Sequence, residues 1–82
     1  MDLTHQLIDA VCEINVTVSA DRVPVDGSLI KAGILDSFGF VQLIVRIEND
    51  FNFEVADEEI IDDNFGTLGK MAAFIGRKTG RG

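Results

Sequence analysis

Residues 33–51 read GILDSFGFVQLIVRIENDF, and this stretch predicts a helix from about Ser37 to Phe51. At roughly 100° of rotation per helical residue, its apolar side chains fall into two separate sectors. One sector has the spacing of a core face and contains Phe40, Leu43, Ile44, Ile47 and Phe51. The other contains Ser37, Phe38, Val41, Val45 and Glu48. Because a helix in a small bundle needs one apolar face for the core, the second sector is predicted to face solvent or a partner.

A first helix is predicted ahead of this one, and a long connection joins the two. Apolar residues recur every three or four positions near the start of the chain, which predicts one buried face of an amphipathic helix. They are Leu3, Leu7, Val11, Ile14 and Val18. Asp2 and Thr4 are both candidate caps for this helix. Residues 19–36 contain the only proline but also several large apolar side chains, so we expect a structured loop that packs on the bundle.

A short helix is predicted after the central one. Within residues 56–61, Asp57 and Glu58 favour the N-terminal end of a helix, and Ile60 and Ile61 are expected to turn inward. Strand-like alternation is too brief anywhere in the chain to predict a sheet. The predicted fold class is therefore all-α, with three longer helices, one short helix and a long structured loop between the first two.

The last predicted helix closes the domain. Thr67 has the position of an N-cap, and Gly76 is expected to end the helix. Residues 77–82 are basic and contain glycine, as is typical of a frayed terminus. A chain of 82 residues has room for a single small core. We therefore predict one domain over residues 1–76 and a flexible tail over residues 77–82.

The charge of the chain limits the functions that it can have. There are 14 acidic and 7 basic residues, which give a net charge of −7 at pH 7 and a pI of about 4.3. Proteins that bind nucleic acids draw affinity from Lys and Arg side chains that neutralise phosphates, so this class is excluded. Partner proteins with basic surfaces are expected instead.

Cysteine content and hydropathy predict where the protein works. Cys12 is the only cysteine, so no internal disulfide can form. No apolar stretch approaches the roughly 20 residues that a membrane span needs. The N-terminus also lacks the basic region and apolar core of a signal peptide. The sequence thus predicts a protein that does not span a membrane and that is located in the cytoplasm.

The layout and its motifs resemble the phosphopantetheine-binding carrier proteins, the superfamily of acyl carrier and peptidyl carrier proteins. The resemblance covers residues of about 3–76 and includes GILDSF at 33–38, VQL at 41–43 and NFGTL at 64–68. Within the superfamily, LDSFG at 35–39 followed by VQL is more similar to stand-alone D-alanyl carrier proteins than to fatty-acid carriers. The resemblance implies an acyl-carrier-like helical bundle.

The resemblance also implies a function. Ser37 would bear a covalent 4'-phosphopantetheine arm, and Asp36 would assist the metal-dependent transfer of that arm. The protein would not be an enzyme, because it would hold acyl or aminoacyl cargo as a thioester and shuttle it between enzymes. The implied partners are a phosphopantetheinyl transferase, a cargo-loading ligase or acyltransferase, and downstream enzymes. The carrier is expected to bind them as a monomer. Neither the cargo nor the pathway follows from the sequence.

The surroundings of Ser37 suit this role on physical grounds. At a helix start the first N–H groups lack helical partners, and the helix dipole favours an anion. The single histidine, His5, is on the first helix and far from Ser37 in sequence, so no base is at hand to activate the hydroxyl. Two alternatives stay open. Ser37 is an ordinary helix cap, or the protein is a carrier-fold helical interaction module that acts without a prosthetic group.

The second sector of the central helix is predicted to bind partners. Its candidate contact residues are Phe38, Val41, Gln42, Val45 and Glu48. Fatty-acid carriers usually have an acidic residue where Gln42 stands, and Arg46 adds a positive charge on the exposed side. Recognition is therefore expected to depend more on apolar contact than on acidic groups. The alternative is that Phe38, Val41 and Val45 pack beneath the long loop.

No metal site is predicted. Residues 48–63 contain eight acidic side chains and no Lys or Arg, which we interpret as a solvated acidic surface, with a docking patch for basic partners as the alternative. The alternating ligands and central glycine of an EF-hand are missing from this segment. On the first helix, His5, Asp9, Cys12 and Glu13 are interpreted as ordinary surface and packing residues.

Overall fold

The computed structural model describes residues 3–80, and these residues form a helical bundle. Its longer helices are α1 (Leu3–Ile14), α2 (Ser37–Phe51) and α4 (Leu68–Thr79), and α3 (Asp62–Phe65) is a single turn. Two 3₁₀ turns, Ala20–Arg22 and Asp57–Glu59, lie in the connections. No strand occurs within residues 3–80. The predicted all-α class with three longer helices is confirmed. In the same residues, no helix has the length and apolarity to cross a membrane.

The core lies between the three longer helices. Helix α1 packs against both α2 and α4, and α3 packs against α4. Each longer helix contributes one buried apolar face, as the periodicity predicts. The buried residues are Leu7, Ala10 and Val11 on α1, Leu43, Ile44 and Ile47 on α2, and Leu68, Met71, Phe74 and Ile75 on α4.

A row of aromatic rings joins α2 to the second half of the chain. Phe40 meets Phe65 edge to face with ring centroids 6.4 Å apart, Phe65 lies 5.1 Å from Phe74, and Phe74 lies 6.2 Å from Phe53. Tilted and edge-to-face pairs at these distances add to the free energy gained by burial alone. The row fixes the orientation of α2 relative to α3 and α4.

The long connection between α1 and α2 packs on the bundle, as predicted. Val23, Leu29 and Leu35 are buried in the main core. The carbonyl oxygen of Val25 accepts a hydrogen bond of 3.0 Å from the Gly69 amide at the start of α4. Gly33 has φ of 75°, a left-handed conformation that glycine adopts without steric cost, and it turns the chain toward α2.

The structure corrects the predicted short helix. Residues 56–61 contain only the 3₁₀ turn, and the α-helical turn follows one residue later at Asp62–Phe65. Ile60 and Ile61 keep 39% and 49% of their surface exposed, so the expectation that they turn inward is wrong. Both lie in non-helical backbone between the two turns. Phe65 occupies the core here instead, within the aromatic row.

The last helix starts where predicted but ends later than predicted. Thr67 is the N-cap, with Oγ1 accepting from the Lys70 amide at 3.1 Å, so that prediction is confirmed. Gly76 does not end α4, because it is buried inside a helix that continues to Thr79 and closes at Gly80 with φ of 74°. The predicted division into a domain over residues 1–76 and a flexible tail over residues 77–82 stays a prediction. Thr4 lies inside α1, so it is not the cap of that helix, and Asp2, the other candidate, lies outside the described residues.

Candidate functional site

The N-terminus of α2 is capped by Asp36. Its backbone is extended, with φ of −91° and ψ of −176°, and its Oδ1 accepts a hydrogen bond of 2.7 Å from the Gly39 amide. The Asp36 carbonyl oxygen accepts from the Phe40 amide at 2.9 Å, which begins the helical pattern. A carboxylate at this position satisfies one unpaired donor and interacts favourably with the helix dipole. The alternative that Ser37 is the cap is therefore wrong.

Ser37 occupies the first helical position and is exposed. Its hydroxyl makes no hydrogen bond to any residue between 3 and 80, and neither do the backbone amides of Ser37 and Phe38. These donors sit at the positive end of a helix of 15 residues. The arrangement offers an accessible oxygen atom beside two free N–H groups, which can accommodate an anion.

Close packing behind Ser37 holds the helix start in place. Leu35 is 4% exposed and Gly39 is buried. A Cβ atom at Gly39 would lie 3.3 Å from both Leu35 Cδ2 and Asp36 Oδ1, and 3.6 Å from Ile14 Cγ2 at the end of α1. Glycine at this position thus lets the end of α1 approach the start of α2 closely.

The second apolar sector of α2 is exposed. Phe38, Val41 and Val45 keep 71%, 56% and 48% of their surface exposed, and Gln42 is exposed beside them. The alternative that these three apolar residues pack beneath the long loop is therefore wrong. Glu48 is only half-exposed, and its Oε2 accepts a hydrogen bond of 2.8 Å from the Val55 amide. This carboxylate supports the loop that follows α2.

Arg46 contributes less free positive charge than predicted. Its guanidinium bonds Glu13 Oε2 on α1 at 2.7 Å and Asp50 Oδ2 one turn further along α2 at 2.8 Å. The hydrogen bonds to Glu13 and then to Asp50 raise the pKa of Arg46. Two carboxylates face this one guanidinium, so the cluster has a net negative charge and Arg46 leaves no uncompensated positive charge on the side of α2 that faces α1.

Comparisons with known proteins agree with this geometry. A sequence profile of the family described as "Phosphopantetheine attachment site" matches residues 5–75. The chain belongs to this phosphopantetheine-binding carrier family. It is 35% identical over 75 residues to the D-alanyl carrier protein of Streptococcus sanguinis, with 92% of each chain covered. It is 32% identical over 72 residues to that of Abiotrophia defectiva, with 88% of this chain and 86% of the relative covered.

A solved structure agrees as well. The solution NMR structure of a holo acyl carrier protein from Nitrosomonas europaea superposes with a TM-score of 0.76 at 28% identity, over 95% of this chain and 96% of that one. The predicted family and fold are confirmed, and the protein is a carrier whose cofactor is covalently attached 4'-phosphopantetheine. The alternative of an interaction module without a prosthetic group is not favoured.

The residues at the start of α2 fit the carrier family's cofactor. A phosphodiester needs an accessible hydroxyl oxygen and surroundings that tolerate negative charge, and Ser37 has both. Asp36 uses Oδ1 for the cap, whereas its Oδ2 makes no hydrogen bond within residues 3–80. No group of three or more His, Cys, Asp or Glu side chains in that range is arranged to hold a metal ion.

The acidic segment of the carrier meets basic residues from α4. Lys78 Nζ lies 2.8 Å from Glu59 Oε2, and Lys70 Nζ lies 3.7 Å from Asp62 Oδ2. Glu59 also accepts from the Ala56 amide at 3.0 Å. The hydrogen bond from Lys78, followed by the one from Ala56, lowers the pKa of Glu59. Part of the acidic surface is therefore engaged in holding the short turns against α4.

Two residues that shape the site escaped the sequence analysis. Gly39 carries no local signal, because any residue other than proline would present the same backbone amide to Asp36, and the close approach of Ile14 appears only in the folded structure. Asn15 bonds the carbonyl oxygen of Ile34, 19 positions away. No local pattern reveals a contact at that separation.

Proposed function

We propose that Ser37 is the attachment point of 4'-phosphopantetheine, and that the carrier shuttles acyl or aminoacyl cargo between partner enzymes without catalysing a reaction itself. The observation that supports this most directly is the exposed and unbonded Ser37 hydroxyl at the first position of α2, with the capping role taken by Asp36. Ser37 Oγ would become an ester oxygen of the phosphodiester. The attached arm supplies a terminal thiol on which cargo is held as a thioester.

The proposed partners are those that this chemistry requires. A phosphopantetheinyl transferase must reach Ser37, with Oδ2 of Asp36 available to assist it. A cargo-loading ligase or acyltransferase and the downstream enzymes would contact the exposed face of α2. Its candidate contact residues are Phe38, Val41, Gln42, Val45 and the exposed part of Glu48. We propose that the carrier meets them as a monomer in the cytoplasm.

D-alanine is the first cargo to test. Two streptococcal relatives and the one from Abiotrophia defectiva are named D-alanyl carrier proteins, at 32% to 35% identity over most of the chain. A radiolabelled D-alanine loading assay with the holo protein and a D-alanyl ligase from such an organism would test it. Preferential loading over L-alanine and acetate is expected. Equal or absent D-alanine loading would point to another cargo.

The attachment site is tested by intact mass spectrometry after incubation with coenzyme A and a broad-specificity phosphopantetheinyl transferase. The wild-type protein should gain one phosphopantetheine, and Ser37→Ala should gain none. Ser19→Ala is the matched control, because Ser19 is also exposed and its side chain makes no capping bond. It should be modified like the wild type. Modification that persists in Ser37→Ala would contradict the proposal.

A further inference from the structure

Asn15 makes a side-chain hydrogen bond from the end of α1 to the segment that precedes Ser37. It follows the last residue of α1, and its Nδ2 donates a hydrogen bond of 2.7 Å to the carbonyl oxygen of Ile34. Its Oδ1 accepts from both the amide and the hydroxyl of Thr17, at 3.2 and 2.7 Å. The two Thr17 donors face the side-chain oxygen and the Ile34 carbonyl faces the side-chain nitrogen. Only one of the two possible orientations of the Asn15 amide therefore makes all three hydrogen bonds.

The bonded carbonyl lies just before the site. Ile34 is three residues ahead of Ser37, in a segment that begins at Gly33 with its positive φ. The other hydrogen bonds of this segment are local: the Ile34 and Leu35 amides donate to the Leu29 carbonyl oxygen at 2.9 and 3.3 Å. Among residues 3–80, the Asn15 bond is thus the only hydrogen bond between this segment and the chain at the end of α1.

We propose that Asn15 is a positioning residue that fixes the Ser37 hydroxyl for the enzyme that modifies it. The inference rests on the proposed role of Ser37. A transferase must hold the serine oxygen in line with the phosphate, and a substrate segment that is already ordered loses less conformational entropy on reaching that geometry. The bond to Ile34, with the buried Leu35 side chain and the Asp36 cap, supplies that order in the free carrier.

The decisive variants separate the bond from Asn15 to Ile34 from the bonds between Asn15 and Thr17. Asn15→Asp keeps the shape and the oxygen that faces Thr17, but replaces the donor to Ile34 by an oxygen. Asn15→Ala removes both interactions without adding charge. Thr17→Val is the matched control, because it removes the 2.7 Å hydroxyl bond and leaves the bond to Ile34 in place. Ile75→Val, at a buried position on α4, controls for a loss of stability alone.

The first measurement is hydrogen exchange on the apo protein, followed by NMR. The bonded amides of Ile34, Leu35, Gly39 and Phe40 report on the segment and on the first turn of α2. Both Asn15 variants should speed exchange at these amides by about fivefold or more relative to the amides of α4, as expected for local opening. Thr17→Val should leave the ratio unchanged. Unchanged exchange in the Asn15 variants would overturn the inference.

The second measurement is transferase kinetics with the carrier as the varied substrate. Loss of stability alone removes a fraction of folded carrier, which raises the apparent KM and leaves kcat unchanged. Misplacement of Ser37 in the bound complex lowers kcat, and we expect roughly a threefold to tenfold decrease for both Asn15 variants. Thr17→Val and Ile75→Val should keep the wild-type kcat.

The two proposals fail in different ways. If the wild-type protein is modified at Ser37 and the Asn15 variants keep its kcat, the positioning role is wrong and the attachment site stands. If the wild-type protein takes up no phosphopantetheine at Ser37, the proposed attachment site is wrong and the positioning role falls with it.

Discussion

The two apolar faces of α2 have similar side chains but different surroundings. On one face, Leu43 and Ile47 have almost no exposed surface, because α1 and the rest of the core cover them. On the other face, Phe38, Val41 and Val45 are about half-exposed or more, and no element within residues 3–80 covers them. A single exposed apolar residue is ordinary, but these three share one face at helical spacing with Ser37. This difference in burial is the basis for the proposal that the uncovered face contacts partner enzymes.

The largest expected effect separates the two faces by stability. Leu43→Ala or Ile47→Ala should lower the free energy of unfolding by about 2 to 5 kcal/mol, because each leaves a cavity in the core. Val41→Ala or Val45→Ala should change it by less than about 0.5 kcal/mol, because surface substitutions of this kind remove little packing. Urea denaturation of the four variants measures both. Comparable losses on the two faces would show that the exposed face is covered in solution.

A smaller effect separates two neighbours at the start of α2. Asp36→Ala should cost about 1 kcal/mol, because it removes the cap of the Gly39 amide. Ser37→Ala should cost far less, since its hydroxyl makes no bond within residues 3–80. Thr67→Ala, which removes the equivalent cap of α4, provides the benchmark in the same urea titrations. A loss for Ser37→Ala as large as that for Asp36→Ala would contradict the assignment of the cap.

The smallest expected effect concerns the ion pair between Glu59 and Lys78. Its pKa is lowered in the folded protein by Lys78 and then by the Ala56 amide, so the stabilisation is present above the ordinary pKa of Glu. It is lost as the pH falls through the lowered value. At pH 7, Glu59→Gln should melt at a lower temperature than Glu58→Gln, and the gap should close in acid and shrink in high salt. A gap that is independent of pH would contradict the ion pair.

Local patterns in the sequence predicted the parts of the fold that depend on helical periodicity. The spacing along α2 separated its buried face from its exposed one, and Thr67 identified the start of α4. Around Ile60 and Ile61 the prediction was wrong, because the turns there are too short for periodicity to decide. Contacts of Phe65 with Phe40 and Phe74 determine which residue enters the core.

Tertiary contacts also overrode local signals elsewhere. Glycine is a frequent residue at helix ends, yet Gly76 is buried within α4. The helical turn beyond it contains Lys78, which bonds Glu59. At the site, the position of Ser37 was predictable from its motif. The sequence could not assign the cap to Asp36, because hydroxyl and carboxylate side chains are both common caps. It could not predict the hydrogen bond from Asn15 to Ile34 either, because the two residues are far apart in sequence.

The claim that the exposed face of α2 receives partner enzymes is tested most directly by a cargo-loading time course with the cognate ligase. Holo Val41→Ala and Val45→Ala are compared with holo Val25→Ala, a control at a partly exposed apolar residue in the loop between α1 and α2. The account predicts severalfold slower loading for the two α2 variants at unchanged melting temperature, because apolar contacts near the centre of an interface carry much of its binding energy. Loading at the wild-type rate in both α2 variants would contradict it.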